Sequence, residues 1–138
     1  AGLGEARYNL GVFSRDGTIP NATTEASVHF LSAAEQGFSL GYLAAAEVYN
    51  DGIGVAQDFE QASILLLRGA AEDEGRIVES LSQGTQNWDA RTIRAVQRRL
   101  AGAGLYDSAL DGQAGPRFRA ALEAWRNGGF LPAVLTDV

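Results

Sequence analysis

Apolar residues recur along this chain three and four positions apart, the spacing of one helix face. Tyr8, Val12 and Phe13 share such a face, and Tyr42, Ala45 or Ala46, and Tyr49 share its equivalent further on. Ala26, Ala33 and Ala34, and later Ala62, Gly69 and Ala70, mark partner helices kept narrow enough for close packing. Beyond them Ile93, Val96 and Leu100 form one stripe, and Phe118, Leu122 and Trp125 form another. The pattern predicts an all-α protein with four helices in its first half, then two principal helices and a short closing element.

The breaks between these stripes repeat. Gly17 and Gly52 each follow an aspartate where the first helix of a pair should end, and glycine takes the left-handed conformation that closes a helix. In Gly52-Ile53-Gly54-Val55 two glycines flank one apolar residue, which predicts a tight turn with Ile53 or Val55 turned inward. The matching turn at 17–21 is one residue shorter and lacks the second glycine. Asp58, with Gln61 three positions on, has the spacing of a capping box. The two units stand 35–36 residues apart, and each closes on Ala-Ala-Glu. Two helices per unit at that period predict a helix-turn-helix solenoid, in which each pair buries its apolar face on a neighbour. The last of these helices is expected to run from about 58 to 81. Its final turns (Ile77, Val78, Leu81) then need cover from the following residues, so Ile77, Leu81 and Trp88 are expected in a contact between the halves.

These residues carry a likeness. The stretch YNDGIGVAQDFEQASILLLRGAAEDEG (49–75) resembles a Sel1-like repeat, a relative of the tetratricopeptide repeat, with the pattern Y-x-x-G-x-G-V-x-x-D-x-x-x-A and then A-A-E-x-G. On that resemblance 1–82 holds two repeats, at about 4–38 and 39–75, the first matching at its two ends only. Ala1-Gly2 looks like the tail of a preceding repeat, so the natural protein is expected to continue upstream. The resemblance implies protein–protein recognition on a concave face.

A polar linker with Gly84 separates this unit from 83–138. Asp89 is placed to cap a helix, with Trp88 before it packing on Ile93 as a hydrophobic staple. Gly102 and Gly104 end that helix, and Pro116 suits the first turn of the next. The stretch TIRAVQRRLAGAGLYDSALDGQAGPRFRAALEAWR (92–126) resembles the peptidoglycan-binding domains of bacterial envelope proteins over about 88–130. Val96-Gln97, Leu100, Gly104-Leu105-Tyr106-Asp107, Asp111-Gly112, Gly115-Pro116 and Ala121-Leu122 fall in register with that family's pattern. Ala114 stands where the family has an aromatic, Phe118 where it has Thr, and Trp125-Arg126 where it has Phe-Gln. The tail 128–138 is also shorter than the family's third helical element. The resemblance implies a ligand cleft rimmed by Tyr106, Asp107, Asp111, Gly112, Gln113 and Arg117. It leaves Gly17, Gly52, Gly54, Trp88, Leu100 and Trp125 as scaffold.

Charge divides the chain at the same place. Residues 1–82 hold four arginines against twelve carboxylates, a net −8, and 83–138 hold seven against five, a net +2. Such a step suggests two units with different surfaces. An acidic chain, −6 in all, is a poor partner for nucleic acid. No stretch approaches the roughly 18 consecutive apolar residues of a membrane span. With no Cys and no Met, thiol chemistry is out, and residue 1 is not expected to be a translation start. The lack of Cys suits an oxidising compartment such as a periplasm.

Little here is arranged for catalysis. His29 is the only histidine, and it reads as an ordinary helix residue. Asp107 and Asp111 invite comparison with a glycosidase pair, but each stands near a glycine as a turn-capping residue. No metal or cofactor is expected. The cluster Arg91, Arg94, Arg98 and Arg99 admits three readings: a solvated face, docking on the acidic first half, or contact with carboxylates of a stem peptide or partner. The expectation is a non-catalytic scaffold or binding module of the bacterial envelope, periplasmic, with partners among envelope or polarity proteins. The alternatives are a pure protein-binding adaptor and the targeting part of a larger cell-wall hydrolase.

Overall fold

The computed structural model describes residues 2–17 and 23–136. It is all-helical, with no strand among the described residues. The helices are α1 (Leu3–Arg15), α2 (Ala26–Glu35), α3 (Leu40–Asp51), α4 (Phe59–Glu72), α5 (Arg76–Ser82), α6 (Ala90–Gly102) and α7 (Pro116–Ala124). A wide turn over Trp125–Gly129 and a short 3-10 turn over Pro132–Leu135 close the chain.

Local chemistry sets most of these boundaries. Asp58 and Asp89 sit in extended conformation ahead of α4 and α6, and their carboxylates accept from the Gln61 and Arg91 amides at 3.0 and 2.8 Å. The Asp58 amide itself bonds the Tyr49 carbonyl, so the reciprocal half of a capping box is not made. Gly52 closes α3 at φ +70, and Pro116 is the first residue of α7. Gly17 follows α1 with a positive φ; the rest of the turn expected at 17–21 lies outside the described residues.

The single helix expected from 58 to 81 is instead two helices. The chain leaves α4 at Asp73 and turns through Gly75 at φ +101. The Asp73 carboxylate then accepts from the Gly75 and Ile77 amides, each at 2.9 Å, and so starts α5. Ile77, Val78 and Leu81 keep their buried places, but on a helix with a new direction.

In the first half each helix packs on the next, α1 on α2, α2 on α3 and α3 on α4. The spacing is close: a Cβ at Gly41 would stand 2.7 Å from the Ala34 amide nitrogen, and one at Gly69 would stand 2.7 Å from the Tyr42 Cβ. Gly54 likewise lies against the backbone of Thr23. Phe30 is fully buried, with Tyr8 at 5.5 Å between ring centroids.

The second half lies on the first. Helix α6 packs on α4, α7 on α5, and the buried apolar residues of both halves form one cluster. Ile77, Leu81, Trp88, Leu100 and Trp125 all belong to it. Polar groups join the halves too. Asn50 accepts from the Asp89 amide and the Thr92 hydroxyl, and the Trp125 indole donates to the Leu67 carbonyl at 2.8 Å.

The arginines also contribute. Arg98 and Arg99 both donate to Glu60, Arg119 reaches Glu79 at 3.2 Å, and Arg126 donates to the Asp73 carbonyl at 3.0 Å. Arg99 is buried, donating also to the Ser63 hydroxyl and the Val134 carbonyl. Of the cluster Arg91, Arg94, Arg98 and Arg99, the last two dock on Glu60 of the first half, while Arg91, Arg94 and Arg98 remain exposed.

Candidate ligand cleft in the second half

The loop between α6 and α7 is organised by one side chain. Gln97, fully buried on α6, accepts from the Gly112 amide at 2.9 Å through Oε1. Its Nε2 donates toward Asp111 Oδ1, the Gln113 carbonyl and the Tyr106 hydroxyl, at 3.0, 3.0 and 3.2 Å. The backbone donor at Oε1 fixes which end of the amide is which. Tyr106 passes its own proton to the Ala109 carbonyl at 2.9 Å, and its ring meets Phe118 edge-on at 6.3 Å. Asp111 Oδ1 also accepts from the Gln113 amide at 3.0 Å.

This network holds open a surface cleft of about 410 Å³ at the start of α7. Tyr106, Asp111, Gln113 and Arg117 line it together, with Ser108 between them. Arg117 is exposed and donates to the Ser108 hydroxyl at 3.1 Å. Gly112 is buried behind the cleft at φ +70, where a Cβ would come within 2.7 Å of the Ala90 carbonyl oxygen. Asp107 is exposed and is not part of the lining. The cleft therefore offers a tyrosine edge, a carboxylate, an amide and a guanidinium, a set suited to a ligand rich in hydroxyl and amide groups.

Two of the positions that depart from the pattern the sequence resembles, Phe118 and Ala114, lie at this cleft. Phe118 is buried beneath Tyr106 and fills the core below the cleft. Ala114 lines the cleft and packs against the linker: a Cβ on Gly84 would stand 3.2 Å from the Ala114 Cβ. Gln97 and Ser108 were not singled out by sequence reasoning. Gln97 had a signal, its place in the Val96-Gln97 motif, but that placed it in register without revealing its partners.

Electrostatics assign Asp111 an acceptor's part. The Gln113 amide, then the Gln97 side chain, hold its carboxyl below the ordinary aspartate range. Burial, then the neighbouring Asp111 charge, pushes the Tyr106 phenol up, so it stays protonated at neutral pH. Because the folded Asp111 is the stronger acid, its contribution to stability is complete above the ordinary range of about 3.9 and is lost as pH falls through the lower folded value. Asp111→Asn should therefore be less stable than the parent near pH 6, with a smaller gap at about pH 3. Urea midpoints at the two pH values check this, and a gap that does not narrow with acid would contradict it.

His29 is far from this chemistry in sequence and role; its Nε2 lies 3.7 Å from Glu25. Among the described residues no cluster of three or more His, Cys, Asp or Glu side chains could hold a metal ion, and no helix is long and apolar enough to cross a membrane. Neither a protein-family model, nor a curated protein, nor a solved structure matches this chain.

Proposed function

We propose that the chain is a non-catalytic binding module of the bacterial envelope. In this reading 1–82 is a pair of Sel1-like repeats that recognises other envelope proteins, and 83–138 is a peptidoglycan-binding domain working in the periplasm. The observation that carries it is the cleft of Tyr106, Asp111, Gln113 and Arg117, braced from below by Gln97. Glycan hydroxyls and stem-peptide amides pair with such groups, and the Arg117 guanidinium suits a stem carboxylate. The successive packing of α1 to α4, with glycines at the close approaches, supports the repeat reading of the first half.

Co-sedimentation of the full chain with purified sacculi tests the proposal. Retention is expected at low salt, weaker at high salt, and largely lost in Arg117→Glu, whose side chain is exposed and whose melting curve is expected to stay close to the parent's. A folded chain that stays in the supernatant at low salt rejects wall binding. Retention indifferent to Arg117→Glu rejects this cleft.

A second reading, a protein-binding adaptor, draws on a different observation. The C-terminal half covers α4 and α5, and its linker crosses at Ala114, as a cap on a helical stack would. That reading takes over if the sacculi fail to retain the chain.

A further inference from the structure

A separate cleft of about 380 Å³ lies where the start of α4 meets α6, with Phe59 and Glu60 on one side and Arg91, Arg94 and Arg98 on the other. The three arginines stand three and four positions apart, so they share one face of α6. Two of them are fixed. Arg91 lies 4.2 Å over the Phe59 ring and donates to Asp89 through Nε and Nη2 at 3.0 and 3.1 Å. Arg98 donates to Glu60. Arg94, between them, is exposed and makes no hydrogen bond or ion pair with the other described residues, though its charge helps to hold the Asp111 carboxyl low.

The arrangement is a surface cleft with two paired cations and, between them, one that has no hydrogen-bond partner among the described residues. A guanidinium presents five donors in a planar fork that matches a carboxylate two bonds at a time. The Arg91–Phe59 stack beside it is flat and partly apolar, a surface for an uncharged neighbour of that carboxylate. A polyanion fits poorly. Asp58 and Glu60 border the same cleft, and the chain as a whole is acidic, so a densely charged ligand meets repulsion on approach.

We propose that this cleft takes an acidic side chain of a partner protein, a Glu or Asp flanked by an apolar residue, with Arg94 as its anchor. The inference goes beyond wall binding and uses none of the residues of the first cleft. It adds a protein contact at the junction of the two halves, built by both.

Fluorescence anisotropy of the full chain with a fluorescein-labelled Ala-Glu-Leu-Glu-Ala peptide, and with its Gln counterpart, tests it at about 50 mM NaCl. The Glu peptide is expected to bind weakly, and to lose about fivefold or more in affinity when Arg94 becomes Gln or when its own glutamates become Gln. Arg94→Lys should restore binding only in part, because an ammonium cannot form the paired bonds. The melting curve of Arg94→Gln should match the parent's, and its retention on sacculi should fall far less than that of Arg117→Glu, separating this site from the wall cleft. Any one of four results overturns the proposal: no binding of the Glu peptide at millimolar concentration, equal binding by Arg94→Gln, equal binding of the Gln peptide, or displacement by inorganic phosphate below millimolar. The last would make this a site for small oxyanions and not for peptides.

Discussion

Trp125→Ala is expected to lower the free energy of unfolding by about 3–5 kcal/mol, the range for a large aromatic removed from a packed core. Trp125 is fully buried, and Phe130 stands edge-on to its ring at 5.2 Å. Its indole nitrogen donates to the Leu67 carbonyl on α4, so the residue that follows α7 is anchored in the first half. Small domains are stable by only about 5–15 kcal/mol, so a loss of this size removes a large part of the total.

The same anchor predicts how the protein unfolds. Because one apolar cluster runs through both halves, Trp125→Ala should weaken them together in a single transition. Trp125→Phe separates packing from hydrogen bonding: it keeps most of the ring and loses the donor, so about 1–2 kcal/mol is expected. Denaturant unfolding followed by circular dichroism and by the fluorescence of Trp88, which is itself buried, measures both. A loss under about 1 kcal/mol in the alanine variant, or two separated transitions, would refute the anchoring role.

What the sequence disclosed and what it hid divide along range. Helix starts at Asp58, Asp89 and Pro116 were legible because a cap or a proline acts on amides a few residues away. The stripes Ile93-Val96-Leu100 and Phe118-Leu122-Trp125 were legible because burial follows helical period, and all six residues are buried. The break at Asp73 was missed although its signal was present: an aspartate two residues before a glycine can end one helix and start the next.

The polar residues that organise the core were hidden for another reason. Gln97 and Asn50 look like surface residues in a polar stretch, and Arg99 stands in a cluster for which docking is one of three readings; their partners stand as much as 42 positions away. No local pattern encodes such a pairing. For the candidate cleft, the rim residues Tyr106, Asp111, Gln113 and Arg117 were named from the resemblance alone. The bracing by Gln97 and the displacement of Asp107 from the lining emerge only from the folded loop.

Asn50→Ala is the variant that tests the polar link between the halves, with an expected cost of about 2–4 kcal/mol. Asn50, in the last turn of α3, is almost completely buried, and its Oδ1 accepts from the Asp89 amide at 3.0 Å and the Thr92 hydroxyl at 2.7 Å. Those two donors open α6, so the amide of one half caps the entry to the other. Alanine leaves both donors facing protein with no acceptor, and stranding a buried donor costs more than its hydrogen bond returned. Thr92 is itself fully buried, so water cannot readily replace the lost oxygen. Thr92→Val removes one of the stranded donors along with its hydroxyl. In the double variant the damage should therefore be smaller than the sum of the two singles, by about 1 kcal/mol or more. Denaturant midpoints of the four proteins in that cycle give the coupling. Strictly additive losses would mean that Asn50 matters only to the end of its own helix and is not coupled to Thr92 across the halves.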